Sequence, residues 1–265
     1  MLVVAIVVAL GAGWVIIGLV RLSVRFSRSD AAKVPLISEL VTVTSILFAL
    51  MLSFSAAGVW NDWLRAQNAV QREALALDNV LALADGLPSD RGARVKERVL
   101  AYAKSAVEYE WPAMSRQADG DDPSFVVSER ILAGLTGELS REAGRADASP
   151  IAAMLLPQIF EARSARLSRL SISRSAVSGA QWFALIALIV STLVVVALIY
   201  NKHAGTQILA INVCSVAAGV AFFVILAHDR PFVGVISVSP KPLLALTVKP
   251  NPEIPVASGT TLDRR

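Results

Sequence analysis

The sequence has 265 residues, of which 55% are hydrophobic and only 17% are charged, with a net charge of +4 and a mean hydropathy of +0.59. Soluble proteins carry about 25% charged residues, and disordered chains combine low hydrophobicity with high net charge, so the composition excludes both classes for the chain as a whole. A single cysteine, Cys214, excludes an intramolecular disulfide framework and a metal site built of several thiolates. These figures fit an integral membrane protein with a soluble part.

Four long segments of the sequence are almost free of charge. They cover residues 1–20, 34–60, 179–200 and 205–227. The only charged residue among them is Glu39. A helix of about 20 apolar residues crosses a hydrocarbon core roughly 30 Å thick, and lipid favours helices because they satisfy their own backbone polar groups. We therefore predict an all-α integral membrane protein with two pairs of transmembrane helices, within residues 1–60 and 179–227.

Small hydroxyl-bearing side chains form a stripe along the second span. They recur at helical spacing, at Ser38, Thr42, Ser45 and Ser53. Such a stripe permits close packing between helices, but it also suits the wall of a water-filled path, so these residues are candidates for lining a pore. A separate apolar ridge would form a hydrophobic gate if several copies of the helix surrounded a pore, and would otherwise face lipid. This ridge comprises Ile46, Leu50 and Phe54.

Residues 61–178 carry the amphipathic pattern of a helical extramembrane domain, which we call the insert. We predict four helices in it. They are a continuation of the second span, a helix from Arg91 to near Pro112, one over about Ser124–Glu142, and one that begins at Pro150. No Gly or Pro interrupts the exit of the second span, and residues 171–178 lead smoothly into the third, so we predict that both spans extend into the insert as stalks. Residues 228–265 form a Pro-rich tail that we predict to be extended.

The basic excess of the chain lies in segments beside the membrane, because the insert itself is nearly neutral. Topology and anionic lipid account for this excess, so it does not indicate nucleic-acid binding. We regard Arg163, Arg166 and Arg169 as candidates for attracting ions to a pore mouth, with lipid headgroups as the alternative partners. The short basic loop after the first span and the basic flanks of the insert predict opposite orientations, which leaves the side of the insert open.

The sequence carries few of the groups that catalysis requires. Its two histidines, His203 and His228, lie at the edges of membrane spans, and no GxSxG elbow, Walker A loop, HExxH helix or GxGxxG fingerprint occurs. The carboxylates of Glu108 and Glu110 are two residues apart on a predicted helix and cannot share one face. We therefore expect no enzymatic activity, no cofactor and no metal site.

Short sequence motifs, in order along the chain, resemble those of the bestrophin-like family of bacterial four-span membrane proteins. The motifs are Val59-Trp60-Asn61, Glu73-Ala74, Leu87-Pro88, Tyr102, Glu110-Trp111-Pro112 and Asp229-Arg230-Pro231-Phe232. The layout of two spans, a helical insert and two further spans is similar to this family as well. The resemblance covers nearly the whole chain apart from the tail, and we expect the residues of these motifs to have structural roles. In a non-conducting scaffold, Glu110-Trp111 and Asp229–Phe232 would join the stalks to the membrane.

The resemblance also implies a function. Bestrophins proper are pentameric anion channels whose second helix lines the pore, although a fold alone does not fix function. Our leading hypothesis is a channel-like homo-oligomer, with a pentamer as the expected form, that passes anions across the bilayer of the bacterial inner membrane. The alternative is a non-conducting scaffold or sensor whose insert binds a partner. Calcium gating is not implied, because the sequence lacks the acidic run of the animal bestrophins after the last span.

Overall fold

A computed structural model describes residues 2–26, 34–144, 150–234 and 236–248, and every regular element within them is helical. The elements are α1 (Leu2–Phe26), α2 (Val34–Ala84), α3 (Ser89–Ser105), a π-helical turn (Ala106–Glu110), α4 (Trp111–Ser115), α5 (Pro123–Ala143), α6 (Pro150–Ile172), α7 (Gly179–Ile199), α8 (Ala204–His228) and α9 (Lys241–Val248). Among them, α1, α2, α7 and α8 are long and apolar enough to cross a membrane. This confirms the predicted all-α class, with α3 to α6 between the second and third spans.

Small residues bring α1 and α8 into close contact in the membrane-spanning part. A Cβ built on Gly13 of α1 would lie 2.5 Å from the Ser215 hydroxyl oxygen of α8. A Cβ on Gly219 of α8 would lie 3.2 Å from the Ala9 Cβ of α1. Glycine allows the two backbones to approach to this distance. Beside this contact, α1, α7 and α8 share an apolar core that includes Ile16, Ile17, Val20, Ile189, Leu193 and Ile211.

The second span continues into the insert without a break, as the sequence predicts. α2 has 51 residues, which corresponds to about 75 Å of helix. Its second half buries an apolar face against α3 and α6. The side chains at the centre of the insert come from α2, α3, α5 and α6, and include Leu77, Val99, Leu132, Leu135, Leu155 and Ile159.

The predicted second stalk is wrong, because α6 ends at Ile172 and a non-helical link leads to α7. Ser178 caps the start of α7 in a reciprocal arrangement with Gln181. The Ser178 hydroxyl accepts a hydrogen bond from Gln181 N at 3.3 Å, and Gln181 Oε1 accepts one from Ser178 N at 3.0 Å. Such a capping box satisfies the first N–H groups of a new helix, so the third span is not a continuation of α6.

The predicted extended tail is wrong over residues 241–248. Lys241–Val248 forms α9, and its Leu243 and Leu246 are buried in the core of the insert against α2 and α3. Pro242 lies in the first turn of this helix, where no N–H group is needed for a helical hydrogen bond. The apolar pair at a three-residue step therefore outweighs the proline content. Residues 249–265 of the predicted tail lie outside the described residues.

Candidate functional site

A buried ionic cluster lies in the insert where α2, α6 and the π-helical turn meet. Arg169 of α6 is fully buried and donates to Glu73 of α2, from Nε to Oε2 at 2.7 Å and from Nη2 to Oε1 at 3.0 Å. The same Nη2 atom donates to Glu110 Oε2 at 2.7 Å. Arg166, one turn earlier, donates from Nε to Glu110 Oε1 at 2.8 Å. Two arginines and two glutamates are thus joined by charge-assisted hydrogen bonds.

Glu129 of α5 extends the cluster toward the surface. One of its carboxylate oxygens accepts from Arg166 Nη1, and the other accepts from Arg163 Nη2. Arg166 also donates from Nη2 to the Phe125 carbonyl at 2.8 Å. With Glu129 and Arg163 included, three carboxylates meet three guanidinium groups. Burial of these charges is tolerated because each is paired and hydrogen-bonded.

The π-helical turn positions Glu110. A π-turn contains more residues per turn than an α-helix and therefore rotates the following residues around the helix axis. Glu110 at its end is fully buried, whereas the Glu108 side chain is 49% exposed. The next residue, Trp111, places its ring 5.0 Å from Arg169 Cζ, within cation–π range. This turn interrupts the helix that the sequence predicts from Arg91 to near Pro112.

Tyr102 and Arg169, which both contact Glu73, have strongly perturbed pKa values. Burial raises the pKa of Tyr102 well above its ordinary value, and the Glu73 carboxylate, which accepts its hydroxyl hydrogen bond, raises it further. Burial opposes the charge on Arg169, but the Glu73 and Glu110 carboxylates outweigh this effect, so the pKa of Arg169 is raised. Both groups therefore stay protonated at neutral pH, which keeps the hydrogen bonds of the cluster intact.

Arg166 and Arg169 are buried in the insert, and their charges are paired with glutamates. They therefore do not occupy the exposed position that their predicted role at a pore mouth requires. Arg163 is different, since its side chain is 41% exposed and its role in attracting ions stays a prediction. Glu129 was missed by the sequence reasoning. Among the described residues, no three histidine, cysteine or acidic side chains are grouped as a metal site requires.

The Asp229-Arg230-Pro231-Phe232 motif joins the insert to the membrane spans. Asp229 Oδ1 accepts a hydrogen bond from Val177 N at 2.6 Å and so holds the end of α8 beside the start of α7. Phe232 is buried and packs edge-on against Trp111, with ring centroids 5.6 Å apart. Pro231 is buried beside it, whereas Arg230 is exposed.

Aromatic residues of α2 complete this joint. Trp60 and Trp63 stack with ring centroids 5.6 Å apart, and the His228 ring lies 5.4 Å from Trp60. Trp63 Nε1 also donates to the Ile236 carbonyl at 3.1 Å. These contacts link α2, the end of α8 and the segment before α9 at the level where aromatic residues meet a membrane surface.

The membrane-spanning half of α2 leaves a broad face uncovered by its own chain. Ile46, Leu50 and Phe54 are 60%, 51% and 66% exposed. Their ridge continues through the insert half of α2 as an exposed stripe at three- and four-residue steps, which is the spacing of one helix face. The whole exposed stripe comprises Ile46, Leu50, Phe54, Ala57, Asn61, Arg65, Asn68, Arg72 and Leu75.

The predicted hydroxyl stripe lies beside this exposed stripe. Thr42 and Ser53 are exposed, and Ser53 Oγ donates to the Ala49 carbonyl at 2.8 Å. Ser45 is half-buried. The side chain of Ser38 lies outside the described residues. The structure thus brings the apolar ridge and two of the four hydroxyl candidates to one uncovered side of α2.

The chain matches the model of the Bestrophin-like domain over residues 6–243. The protein belongs to the Bestrophin-like family. The sequence motifs from Trp60 to Phe232 all fall within the matched residues, so the resemblance that they indicate is confirmed. A search of curated proteins finds no match.

Solved structures share the fold of this Bestrophin-like chain. Two variants of a bacterial bestrophin homolog from Klebsiella pneumoniae are 12% and 11% identical to it, each with a TM-score of 0.69. The alignments cover 92% and 94% of this chain and 99% of each homolog chain. A variant of a protein described only as a membrane protein is 13% identical, with a TM-score of 0.68, over 94% of this chain and 99% of that chain. At these identities the likeness shows the fold alone.

Proposed function

We propose that this Bestrophin-like protein is a homo-oligomeric channel of the bacterial inner membrane. In this proposal, α2 helices from several copies surround a central pore and ions pass along their exposed stripes. Anions are the preferred permeant ions. The observation that carries the proposal is the uncovered face of α2, which runs without interruption from the membrane into the insert.

The low burial of α2 within its own chain supports an oligomer. Only 6% of the most apolar 18-residue window of the second span is buried, against 22–28% in the other three spans. This face also carries the Thr42 and Ser53 hydroxyls, and Asn61, farther along it, is exposed. Polar groups of this kind are better accommodated by a neighbouring helix or by water than by lipid tails.

The order of side chains along the exposed stripe supports conduction. Ile46, Leu50 and Phe54 would form three apolar rings in an oligomer, and such constrictions gate ions by excluding water. Beyond them, Arg65 and Arg72 place exposed guanidinium groups on the stripe. Each contacts one carboxylate beside the stripe, on Asp62 and Glu161, and the stripe itself contains no acidic residue from Ile46 to Leu75. A cationic approach to a narrow apolar segment favours the entry of anions.

Current through planar bilayers that contain the purified protein tests this proposal. We expect single-channel currents that are larger for Phe54→Ala, because the substitution widens and hydrates one apolar ring. Phe183→Ala is the matched control, since Phe183 is 75% exposed on α7 and should face lipid. Silence across salts and voltages would rule out the channel and leave the scaffold or sensor alternative.

A further inference from the structure

A wide groove on the insert, beside the ionic cluster and sharing Arg163 with it, has the chemistry of an anion site. It lies between α2 and α6 and has a volume of about 1170 Å³. Its polar lining is Arg65, Asn68, Gln71, Arg72, Arg163, Ser164, Ser168 and Ser171. Three guanidinium groups, two amides and three hydroxyls therefore surround it, and no carboxylate does. We propose that this groove binds oxyanions of the phosphate type.

The ion pairs of the three arginines leave hydrogen-bonding capacity for such a ligand. Arg65 contacts Asp62 through Nη2, Arg72 lies 3.6 Å from Glu161 through Nη1, and Arg163 contacts Glu129 through Nη2. Each ion pair thus uses one Nη atom of a guanidinium group that has five N–H donors. The arginine side chains are 68%, 54% and 41% exposed, so a ligand can reach them from solvent.

The form of the donors selects the class of anion. A guanidinium group presents two parallel N–H groups that match two oxygens of a phosphate, whereas a halide offers no second acceptor atom. Leu75, Phe160 and Leu167 supply the apolar part of the lining and are themselves more than half exposed, so the selectivity rests on the guanidinium geometry. The groove therefore favours an oxyanion over chloride.

Oxyanion binding in the groove is a separate property from conduction, although both involve the exposed stripe of α2. Arg65 and Arg72 belong to the exposed stripe of α2, and Ser171 lies at the end of α6 that leads to the membrane. A soluble phosphate compound and the phosphate of a lipid headgroup could both reach such a site. Oxyanion binding here requires neither conduction nor an oligomer, so it can hold when the channel proposal fails.

Calorimetric titration of the full-length protein in neutral detergent with inorganic phosphate tests the site. Loss of one charge-assisted hydrogen bond costs roughly a factor of ten in affinity. We therefore expect Arg72→Gln and Arg163→Gln each to weaken phosphate binding about tenfold, and Arg72→Lys to retain part of the affinity. The matched control is Arg94→Gln with Arg98→Gln, since these exposed arginines contact Glu138 on another face of the insert and should leave binding unchanged.

Competition with lipid vesicles identifies the source of the oxyanion. If phosphatidylglycerol vesicles displace phosphate and phosphatidylcholine vesicles do not, the site takes anionic headgroups. If neither displaces it, the ligand is a soluble phosphate compound. Undetectable phosphate binding, or equal binding by the parent protein and by folded variants with matching melting curves, would overturn the proposal. The experiment measures phosphate binding, so it can refute the oxyanion site whether or not the protein conducts ions.

Discussion

The two halves of α2 differ in what surrounds them, although they form one continuous helix. The insert half buries residues such as Val70, Glu73 and Leu77 against other helices of the chain. The membrane half buries far fewer residues, with Ser55 and Val59 as the buried ones among positions 39–60, and it packs against α7 and α8 along one side only. The insert half is therefore stabilised by contacts within one chain, whereas the membrane half needs lipid or further copies to cover it.

The difference extends to the polar contacts. In the insert, the fully buried charges of Glu73, Glu110 and Arg169 fix helices that are far apart in sequence. In the membrane part, close backbone packing at Gly13 and Gly219 joins α1 to α8. Ionic pairing thus links helices of the insert, whereas the α1–α8 contact is made by small residues beside an apolar core. The two regions should therefore respond differently to substitution.

The largest effect is expected from Arg169→Ala. The substitution leaves the carboxylates of Glu73 and Glu110 buried without their main partner, and breaking a buried ion pair in this way costs about 3–5 kcal/mol. We expect a decrease of that size in the free energy of unfolding, measured by chemical denaturation in detergent. Arg163→Ala should change it by less than about 1 kcal/mol, because this arginine is partly exposed. Equal effects of the two substitutions would contradict the distinction between cluster and surface.

Leu243→Ala tests whether α9 is part of the insert. Leu243 is fully buried in the core, and removal of such a side chain costs about 2–5 kcal/mol. We expect a lower free energy of unfolding and faster proteolysis after residue 240. Leu244→Ala is the matched control, since its side chain is 40% exposed. An unchanged stability for Leu243→Ala would mean that the tail does not contribute to the core.

A smaller effect is expected in the membrane part from Gly13→Val. The Cβ and methyl groups would overlap Ser215 of α8, and overpacking of this kind costs about 1–3 kcal/mol. Gly18→Val is the control on the same helix, because a Cβ on Gly18 meets no atom within 4 Å. Thermal melting in detergent measures both. A decrease in melting temperature for Gly18→Val as large as that for Gly13→Val would show that overlap at the α1–α8 contact does not cause the destabilisation.

Sequence reasoning succeeded where the signal is local. Charge-free segments of about 20 residues predict the spans, and the uninterrupted amphipathic pattern predicts the length of α2. Pro150 predicts the first residue of α6. Ser178 and Gln181 stand at the spacing of a capping box, a local signal for a new helix start that the predicted second stalk leaves out of account.

The buried cluster could not be predicted in the same way, because its partners are distant in sequence. Arg169 and Glu73 are 96 residues apart, and nothing near either residue identifies the other. One signal was available, since Glu73 falls between Val70 and Leu77 on the apolar face of α2. A charge on such a face must be paired when it is buried. The π-helical turn that ends at Glu110 has no such local signal.

A cysteine scan of α2 most directly tests the claim that its exposed stripe lines a pore. Cys214 is the single native cysteine, so Cys214→Ala provides a suitable background. In bilayer recordings, a membrane-impermeant thiol reagent should block current when cysteine replaces Ile46, Leu50 or Phe54. It should not block current when cysteine replaces Phe183 on α7. Current that persists at all three α2 positions, or is blocked equally at position 183, would contradict the account.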